Sequence, residues 1–211
     1  MFFKKLTKPL LFFLCIGIVL TGLSSVNHLY EEKTYLEKEL LRWQDEVSRL
    51  RTELDRLEKI NSYAEIYQTS PEIVSLVIEE SEKYQLKPVV MLELIKVESN
   101  FNPRAISRIG AKGLCQINPL TAPELARELN LEYSEAKLFD NHYNIQLGTY
   151  YLAKLLKSYN MDYHRALTAY NRGPTGLQNY IKTRGTAVSR YSQKISSRSQ
   201  QLTLNTANTA N

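Results

Sequence analysis

The stretch Leu94–Ala122 reads "LIKVESNFNPRAISRIGAKGLCQINPLTA", and it joins an apolar helical run to a segment rich in Asn, Pro, Ser and Gly. Leu94, Ile95 and Glu98 recur at helical spacing, which puts Glu98 on the apolar face of its helix. A carboxyl group among apolar side chains is partly desolvated, which raises its pKa and favours the neutral form. Glu98 is therefore either a candidate general acid or a helix-end residue turned into solvent.

The helix that carries Glu98 is predicted to begin at Pro88, because proline is favoured in the first helical turn. In this register Met91 joins the apolar face, while Glu93 and Lys96 are predicted to face away from it. Periodicity alone leaves the two interpretations of Glu98 open.

Helical spacing of apolar residues continues through residues 70–195, and no alternating strand pattern of useful length is present in the sequence. Ser70 is a predicted N-cap, and Pro71 then occupies the first turn of the first helix. The sequence predicts an all-α (mainly α) domain over residues 70–195. The polar, low-complexity segment 196–211 is predicted to be a disordered tail.

The N-terminus has the pattern of an export signal, with Lys4, Lys5 and Lys8 followed by an apolar run from Pro9 to Leu23. Residues 1–26 are predicted to be a signal-anchor or a signal peptide. The lysines would stay on the cytoplasmic side, which predicts a protein of the cell envelope with its folded domain outside the inner membrane. An uncleaved anchor is favoured, and cleavage after Ser24 is the alternative.

Residues 29–61 are predicted to form a coiled-coil stalk. Heptad pairing would place Glu46 opposite Arg51 of a parallel partner, which favours self-association, whereas Glu53 and Glu58 would repel. The alternatives are a different coiled-coil partner or one long helix packed on its own domain. The apolar seam consists of Leu36, Leu40, Trp43, Val47, Leu50, Leu54 and Leu57.

Composition restricts the class of function. Charged residues make up 23% and hydrophobic residues 43% of the 211 residues, which is the balance of a globular chain. The net charge is +5, and no acidic residue follows Asp162, so the C-terminal part suits an anionic polymer or membrane surface. The export signal disfavours nucleic acid as a partner.

Neither cysteine, Cys15 or Cys115, has metal-ligand spacing to a histidine, so no metal and no cofactor are expected.

The segment that begins at Glu98 resembles the first motif of the soluble lytic transglycosylase (SLT) domain family, a branch of the lysozyme-like superfamily. Two later stretches, "LFDNHYNIQLGTYYLAKLL" and "ALTAYNRGP", also resemble that family, and the resemblance covers about residues 72–195. The matching positions of the first motif are Glu98, Ser99, Phe101, Asn102, Pro103, Ala105, Ser107, Gly110, Ala111, Gly113, Leu114, Gln116, Pro119 and Thr121. Those of the later stretches are Asn144, Ile145, Gly148, Tyr151, Leu152, Ala166, Ala169, Tyr170, Asn171, Gly173 and Pro174.

The resemblance implies a helical lobe around a glycan groove, with peptidoglycan strands as substrate. The implied reaction cleaves the β-1,4 bond between N-acetylmuramic acid and N-acetylglucosamine and closes a 1,6-anhydro ring. Glu98 would be the single catalytic acid and base, with the phenol of Tyr170 near it and the amide of Asn171 reaching substrate. Further implied substrate-binding residues are Ser107, Gly113, Leu114, Cys115, Gln116, Asn144 and Tyr191.

Two other functions remain alternatives. The first is a water-using muramidase on the same fold, which needs a second carboxylate, with Asp140 and Glu124 as candidates. The second is a non-catalytic wall-binding scaffold. Three departures from the family pattern bear on substrate fit and rate: Cys115 stands where many relatives have Met, Arg172 replaces a common small residue, and Asn141 stands where Pro is frequent.

Overall fold

A computed structural model describes the backbone of residues 7–209 and the side-chain surroundings of residues 10–204. Within the described backbone there are seven α-helices and one 3-10 helix, and the sheet-like pairings are isolated bridges in one loop. The prediction of an all-α fold is confirmed. The parts of the anchor and tail predictions that concern residues 1–6 and 210–211 lie outside the described residues.

The chain divides into two units, Met1–Glu58 and Lys59–Asn211. Residues 7–58 of helix α1 (Thr7–Tyr67) form the described part of the first unit. From Leu10 onward it is long and apolar enough to cross a membrane, and the side chains of its apolar window are not buried. This apolar N-terminal helix suggests a membrane anchor.

The predicted stalk residues belong to the same helix, and their coiled-coil pairing stays a prediction. The seam side chains are exposed, with Trp43 at 65%. An exposed apolar stripe of this width is typical of a helix that pairs with another helix. The exposed seam comprises Leu36, Leu40, Trp43, Val47, Leu50, Leu54 and Leu57.

The second unit contains the last turns of α1 and six further α-helices. These are α2 (Pro71–Lys83), α3 (Pro88–Glu98), α4 (Ala122–Glu128), α5 (Asn141–Ser158), α6 (Tyr163–Arg184) and α7 (Arg190–Thr209), with the 3-10 helix Glu135–Phe139 before α5.

Local sequence signals explain where these helices begin. Ser70 caps α2, because its Oγ accepts a 3.3 Å hydrogen bond from the backbone N–H of Ile73, and Pro71 follows it. Pro88 opens α3. Asp140 caps α5 by accepting from the N–H of Tyr143 at 2.8 Å. The predicted starts at Pro71 and Pro88 are confirmed.

Helix α3 lies at the centre of the second unit. It packs against α2 and α7, and every residue from Val89 to Ile95 is buried. The apolar face with Met91, Leu94 and Ile95 is therefore confirmed. Glu93 was predicted to face away from this apolar face, yet Val89–Ile95 are all buried and Glu93 is itself only 1% exposed.

The packed unit extends beyond both predicted boundaries of the domain, residues 70 and 195. At the N-terminal side, Ile60, Tyr63, Ala64 and Tyr67 of α1 belong to its core, so the predicted stalk, residues 29–61, overlaps it. These side chains repeat at spacings of three and four, which lets one face of α1 pack on the core.

The C-terminal segment 196–211 was predicted to be disordered, and for residues 196–204 the structure contradicts this prediction. Helix α7 continues through them, with Ser199 buried and Leu202 packed against the core. Arg198 also forms an ion pair with the buried carboxyl group of Glu93. These contacts offset the conformational entropy lost when the segment becomes ordered, although its polar composition alone is typical of disorder.

Candidate active site

A cavity of about 420 Å³ opens in the second unit between the loop after α3 and helices α5 and α6. Glu98 lies in its wall, and among the residues that line it Glu98 is the one with a carboxyl group. A cavity of this size is within the range of natural ligand sites. Its lining consists of Glu98, Ser107, Ile109, Ala111, Gln116, Ile117, Asn118, Thr121, Tyr151, Tyr170, Asn171, Arg172 and Gly173.

Glu98 ends helix α3, where the chain leaves the core and enters the loop. Burial raises the pKa of Glu98 above the ordinary value of a carboxylic acid. A hydrogen bond of 2.6 Å from Tyr191 Oη to Glu98 Oε1 lowers that pKa and opposes part of the effect. A partly desolvated carboxyl group with a fixed neighbour is suited to donate and later accept a proton.

Tyr191 in the first turn of α7, rather than Tyr170, is the tyrosine bonded to Glu98. Tyr170 lies in the cavity wall as predicted, but its hydroxyl donates to the backbone carbonyl of Cys115 at 2.9 Å. Its ring packs on that of Tyr151, with 5.1 Å between ring centroids. The predicted nearness of the Tyr170 phenol to Glu98 agrees with its place in the cavity wall, although the hydrogen bond to Glu98 comes from Tyr191.

The loop after α3 is held in shape by hydrogen bonds within itself. Ser107 Oγ accepts a 3.0 Å hydrogen bond from the N–H of Ala111, and Gln116 Nε2 donates to the carbonyls of Ala105 and Gly113 at 3.1 and 2.8 Å. Both Ser107 and Gln116 line the cavity, and their predicted contacts with substrate stay a prediction. Ser107 is bonded to the turn of its own loop rather than to Glu98.

Four of the residues predicted to bind substrate lie behind the cavity wall. Asn144 is 1% exposed and fastens the loop to α5: its Oδ1 accepts from Cys115 N at 2.7 Å, and its Nδ2 donates to the carbonyls of Lys112 and Leu138 at 3.0 and 2.8 Å. Each of these bonds satisfies a polar group that burial removes from water. The four residues are Gly113, Leu114, Cys115 and Asn144, all buried.

Gly113 shows why the loop needs a glycine. Its φ is +77°, and a Cβ atom there would collide with the carbonyl oxygen of Leu138 and the side-chain amide of Asn144. Cys115 is fully buried against Gly148, where a Cβ would lie 2.6 Å from its sulfur. Burial raises the pKa of the Cys115 thiol. These two residues are structural, and the prediction that they contact substrate is corrected.

Helix α6 breaks at the cavity. Gly173, with φ of 73° and ψ of 162°, interrupts the helical backbone before Pro174. The break brings Asn171 and Arg172 into the lining of the cavity. The guanidinium group of Arg172 lies over the ring of Tyr180, 4.8 Å from its centroid. The predicted place of Asn171 in the groove agrees with this geometry.

The two carboxylates considered for a water-using mechanism have other roles. Asp140 caps α5, as described above. Glu124 pairs with Lys154, with 3.1 Å between Oε1 and Nζ. Neither belongs to the lining of the cavity.

The fold and the cavity agree with what comparisons with known proteins show. The model of the family "Transglycosylase SLT domain" matches residues 75–192, more than half of the chain, and the chain belongs to this family. All cavity-lining residues and Tyr191 fall inside the matched range.

Curated relatives include membrane-bound lytic murein transglycosylase C of Photorhabdus laumondii, 36% identical over 108 residues. The same protein of Pectobacterium atrosepticum is 34% identical over 108 residues. Each match covers 46% of this chain and 30% of the relative, so the chain spans about a third of the length of these relatives.

A similar solved structure is an inactive mutant of lytic transglycosylase Slt from Pseudomonas aeruginosa. It superposes with a TM-score of 0.54 at 26% identity, covering 61% of this chain and 24% of that one. This likeness agrees with the helical fold of the second unit. The matched part is about a quarter of the longer Pseudomonas protein.

Reasoning from the sequence did not identify three residues near the site: Tyr67, Glu93 and Arg198. The buried Glu93 on α3 contacts Tyr67 of α1 and Arg198 of α7. The apolar residues on all sides of α3 were the available signal for Glu93, and the spacing of Tyr191, Ile195, Ser199 and Leu202 was the signal that α7 continues past residue 195.

Proposed function

We propose that this protein is a peptidoglycan lytic transglycosylase. The proposed reaction cleaves the β-1,4 bond between N-acetylmuramic acid and N-acetylglucosamine and leaves a 1,6-anhydromuramic end. The observation that carries the proposal is Glu98, a carboxyl group with a raised pKa in the wall of a cavity of saccharide size. The family and the names of the curated relatives support the same activity.

In the proposed mechanism one residue acts twice. Protonated Glu98 gives its proton to the glycosidic oxygen as that bond breaks and positive charge grows on the muramic ring. The resulting carboxylate then takes the proton of the sugar's own C6 hydroxyl, whose oxygen attacks the anomeric carbon and closes the anhydro ring. Because the nucleophile belongs to the substrate, the reaction has the advantage of an intramolecular attack.

The positions of the other acidic residues favour this mechanism over hydrolysis. A muramidase uses a second carboxylate across the sugar as nucleophile or to activate water. Asp140 and Glu124, the candidates for that role, are bonded to the α5 N-terminus and to Lys154. Glu98 therefore serves as both acid and base in the proposal.

The test is product analysis by mass spectrometry of purified sacculi digested with the full chain. We expect muropeptides with 1,6-anhydromuramic ends from the wild type, and a loss of rate of about 10²- to 10⁴-fold in Glu98→Gln, typical of a missing general acid. Glu124→Gln is the matched control and should keep wild-type rates. Reducing-end products would assign a muramidase instead, and binding without turnover would assign a scaffold.

We also propose that α1 anchors the protein in the inner membrane with the second unit on the outer side. The apolar length of α1 and the lysines that precede its apolar run support this orientation. Peptidoglycan lies on that side, so the proposed orientation agrees with the proposed substrate. Protease added to spheroplasts should digest the second unit, whereas protection until the membrane is dissolved would oppose the orientation.

The exposed seam of α1 is proposed to pair with a second copy of the chain. The heptad register puts Glu46 opposite Arg51 of a parallel partner, which is a favourable charge pair. In the structure Glu46 Oε1 accepts from Arg49 of its own helix at 2.7 Å, so pairing would exchange one ion pair for another. Analytical ultracentrifugation in detergent should find a dimer that Val47→Asp dissociates and Ser48→Asp, one residue off the seam, does not.

A further inference from the structure

Two segments outside the family domain meet on one buried carboxyl group. Glu93 is 1% exposed, and its Oε1 accepts a 2.8 Å hydrogen bond from Tyr67 Oη and lies 3.3 Å from Arg198 Nε. Tyr67 precedes the matched range 75–192 and Arg198 follows it. Glu93 itself is inside that range, on the helix that ends with Glu98.

The two carboxyl groups of α3 are both bonded to α7. Glu98 pairs with Tyr191 at the start of α7, and Glu93 pairs with Arg198 farther along it. The earlier residue on one helix pairs with the later residue on the other, so the helices run antiparallel and the two contacts together fix how α7 lies along α3. A shift of α7 that broke the contact at Glu93 would move the Tyr191 hydroxyl relative to Glu98.

Tyr67 reaches α3 from the other side and also contacts the loop that follows Glu98. Its ring lies 5.5 Å from that of Phe101, centroid to centroid, and its side chain is 2% exposed. Tyr67 therefore contacts the chain on both sides of Glu98 in sequence, at Glu93 and at Phe101. The last turn of α1 supports the segment that carries the acid.

We propose that Tyr67 and Arg198 are positioning residues for the reaction: by holding Glu93 they fix α3 against α7 and keep the Tyr191 hydroxyl on the Glu98 carboxyl group. This inference rests on the proposed function. Tyr67 and Arg198, which lie outside the matched range 75–192, thus become part of the catalytic lobe. The C-terminal end of α1 is coupled to Glu98.

The physical basis is the cost of a buried charge. The buried carboxyl group of Glu93 is stabilised by its hydrogen bond from Tyr67 and its ion pair with Arg198, and loss of one partner leaves it undercompensated. The helix pair can relieve this by moving so that water reaches Glu93. Such a movement changes the register of α7 on α3 and therefore the distance between Tyr191 and Glu98.

The test measures kcat/KM against pH with the full chain, using release of anhydro product. We expect Arg198→Ala to lower kcat/KM about tenfold, because the ion pair that holds Glu93 to α7 is lost. It should also move the alkaline limb to higher pH, because the Tyr191 hydrogen bond lowers the pKa of Glu98. The groups facing Glu98 are Tyr191 of α7, Tyr170 of α6 and Cys115 of the loop, and all are kept in this variant.

Matched variants separate positioning from general stability. Lys194→Ala removes a cation from an exposed position of the same helix and should keep the wild-type limb. Tyr67→Phe should shift the limb as Arg198→Ala does, while Tyr63→Phe makes the same change one turn earlier on α1 and should not. Arg198→Lys, which keeps the charge, should restore most of the loss.

A double-variant cycle decides the mechanism. In a Tyr191→Phe background, Arg198→Ala should give no further shift of the limb, because the bond through which it acts is already absent. If Arg198→Ala lowers only the thermal stability and leaves the alkaline limb of kcat/KM at its wild-type pH, the inference is overturned while the transglycosylase proposal stays intact. A wild-type chain that releases no anhydro product would instead refute the proposed function.

Discussion

The hydroxyl of Tyr191 lies 2.6 Å from Glu98 Oε1 and joins the start of α7 to the end of α3. This hydrogen bond and the burial of Glu98 act in opposite directions on the same pKa, since burial favours the neutral acid and the bond favours the carboxylate. The balance matters for a residue that must first give a proton and then take one. Tyr191 therefore tunes the group that the proposed mechanism uses twice.

Replacing Tyr191 by Phe should move the alkaline limb of kcat/KM to higher pH. The bond lowers the pKa of Glu98, so its loss leaves the raising effect of burial unopposed and the acid stays protonated to higher pH. We expect the rate on the acidic plateau to fall about tenfold, because the carboxyl group loses a fixed partner. The measurement is a pH series of initial rates.

Tyr170→Phe is the matched control for this experiment. Its hydroxyl bonds to the carbonyl of Cys115 rather than to Glu98. It should destabilise the protein by about 1 kcal/mol, typical of one hydrogen bond, with a smaller shift of the limb than Tyr191→Phe. Equal shifts in the two variants would contradict the assignment of Tyr191 as the direct partner.

Glu98→Gln should change how folding stability depends on pH. The folded-state pKa of Glu98 is raised, so its contribution to stability is fully present below the unfolded-state pKa, near 4.5, and is lost as pH rises through the folded-state pKa. The variant lacks this loss, and its stability relative to the wild type should rise with pH over that window. Thermal unfolding of both proteins between pH 4 and pH 8 tests this, and parallel curves would show that the folded pKa is not raised.

Gly113→Ala and Gly110→Ala should separate steric collision from backbone strain. Both glycines have positive φ, +77° and +81°, but only the Gly113 Cβ would meet Leu138 and Asn144. We expect a loss of about 1 kcal/mol for Gly110→Ala, from the backbone alone, and of about 3 kcal/mol or more for Gly113→Ala. Denaturant unfolding measures both, and equal losses would mean that the loop moves to accept the new methyl group.

Cys115 should be inert in the native protein. It is fully buried and its thiol pKa is raised, whereas a cysteine lining the groove would be open to reagents. In a Cys15→Ser chain, iodoacetamide at pH 8 should modify Cys115 at least about 100-fold more slowly in native than in denatured protein. Comparable rates would return Cys115 to the groove, where the sequence first placed it.

The sequence was sufficient to predict the helix starts and to select Glu98 as the candidate acid, which the structure finds in the cavity wall. Pro71, Pro88 and the Ser70 cap act locally, so their effect is visible without tertiary structure. Glu98 was identified by its helical spacing and by the motif that follows it. These features depend on a few neighbouring residues, which is why they could be predicted.

The errors concern residues whose surroundings come from distant parts of the chain. Asn144 and Gly113 have the residue types of a sugar-binding loop, yet their contacts fasten the loop to α5 and the 3-10 helix. Glu93 was predicted only to face away from the apolar face, because the spacing argument did not use the apolar residues on the other sides of α3. Segment 196–204 has a composition typical of disorder, but Arg198, Ser199 and Leu202 contact the rest of the second unit, and the segment is helical.

The enclosure of α3 has a further consequence for how the protein moves. Residues Val89–Ile95 are buried, so we expect their amide hydrogens to exchange with solvent slowly, through opening of the packed unit. The proposed acid, Glu98, therefore follows directly on the part of α3 with the slowest expected amide exchange, and the proposed glycan substrate would be accommodated by the loop after α3 and by the broken α6.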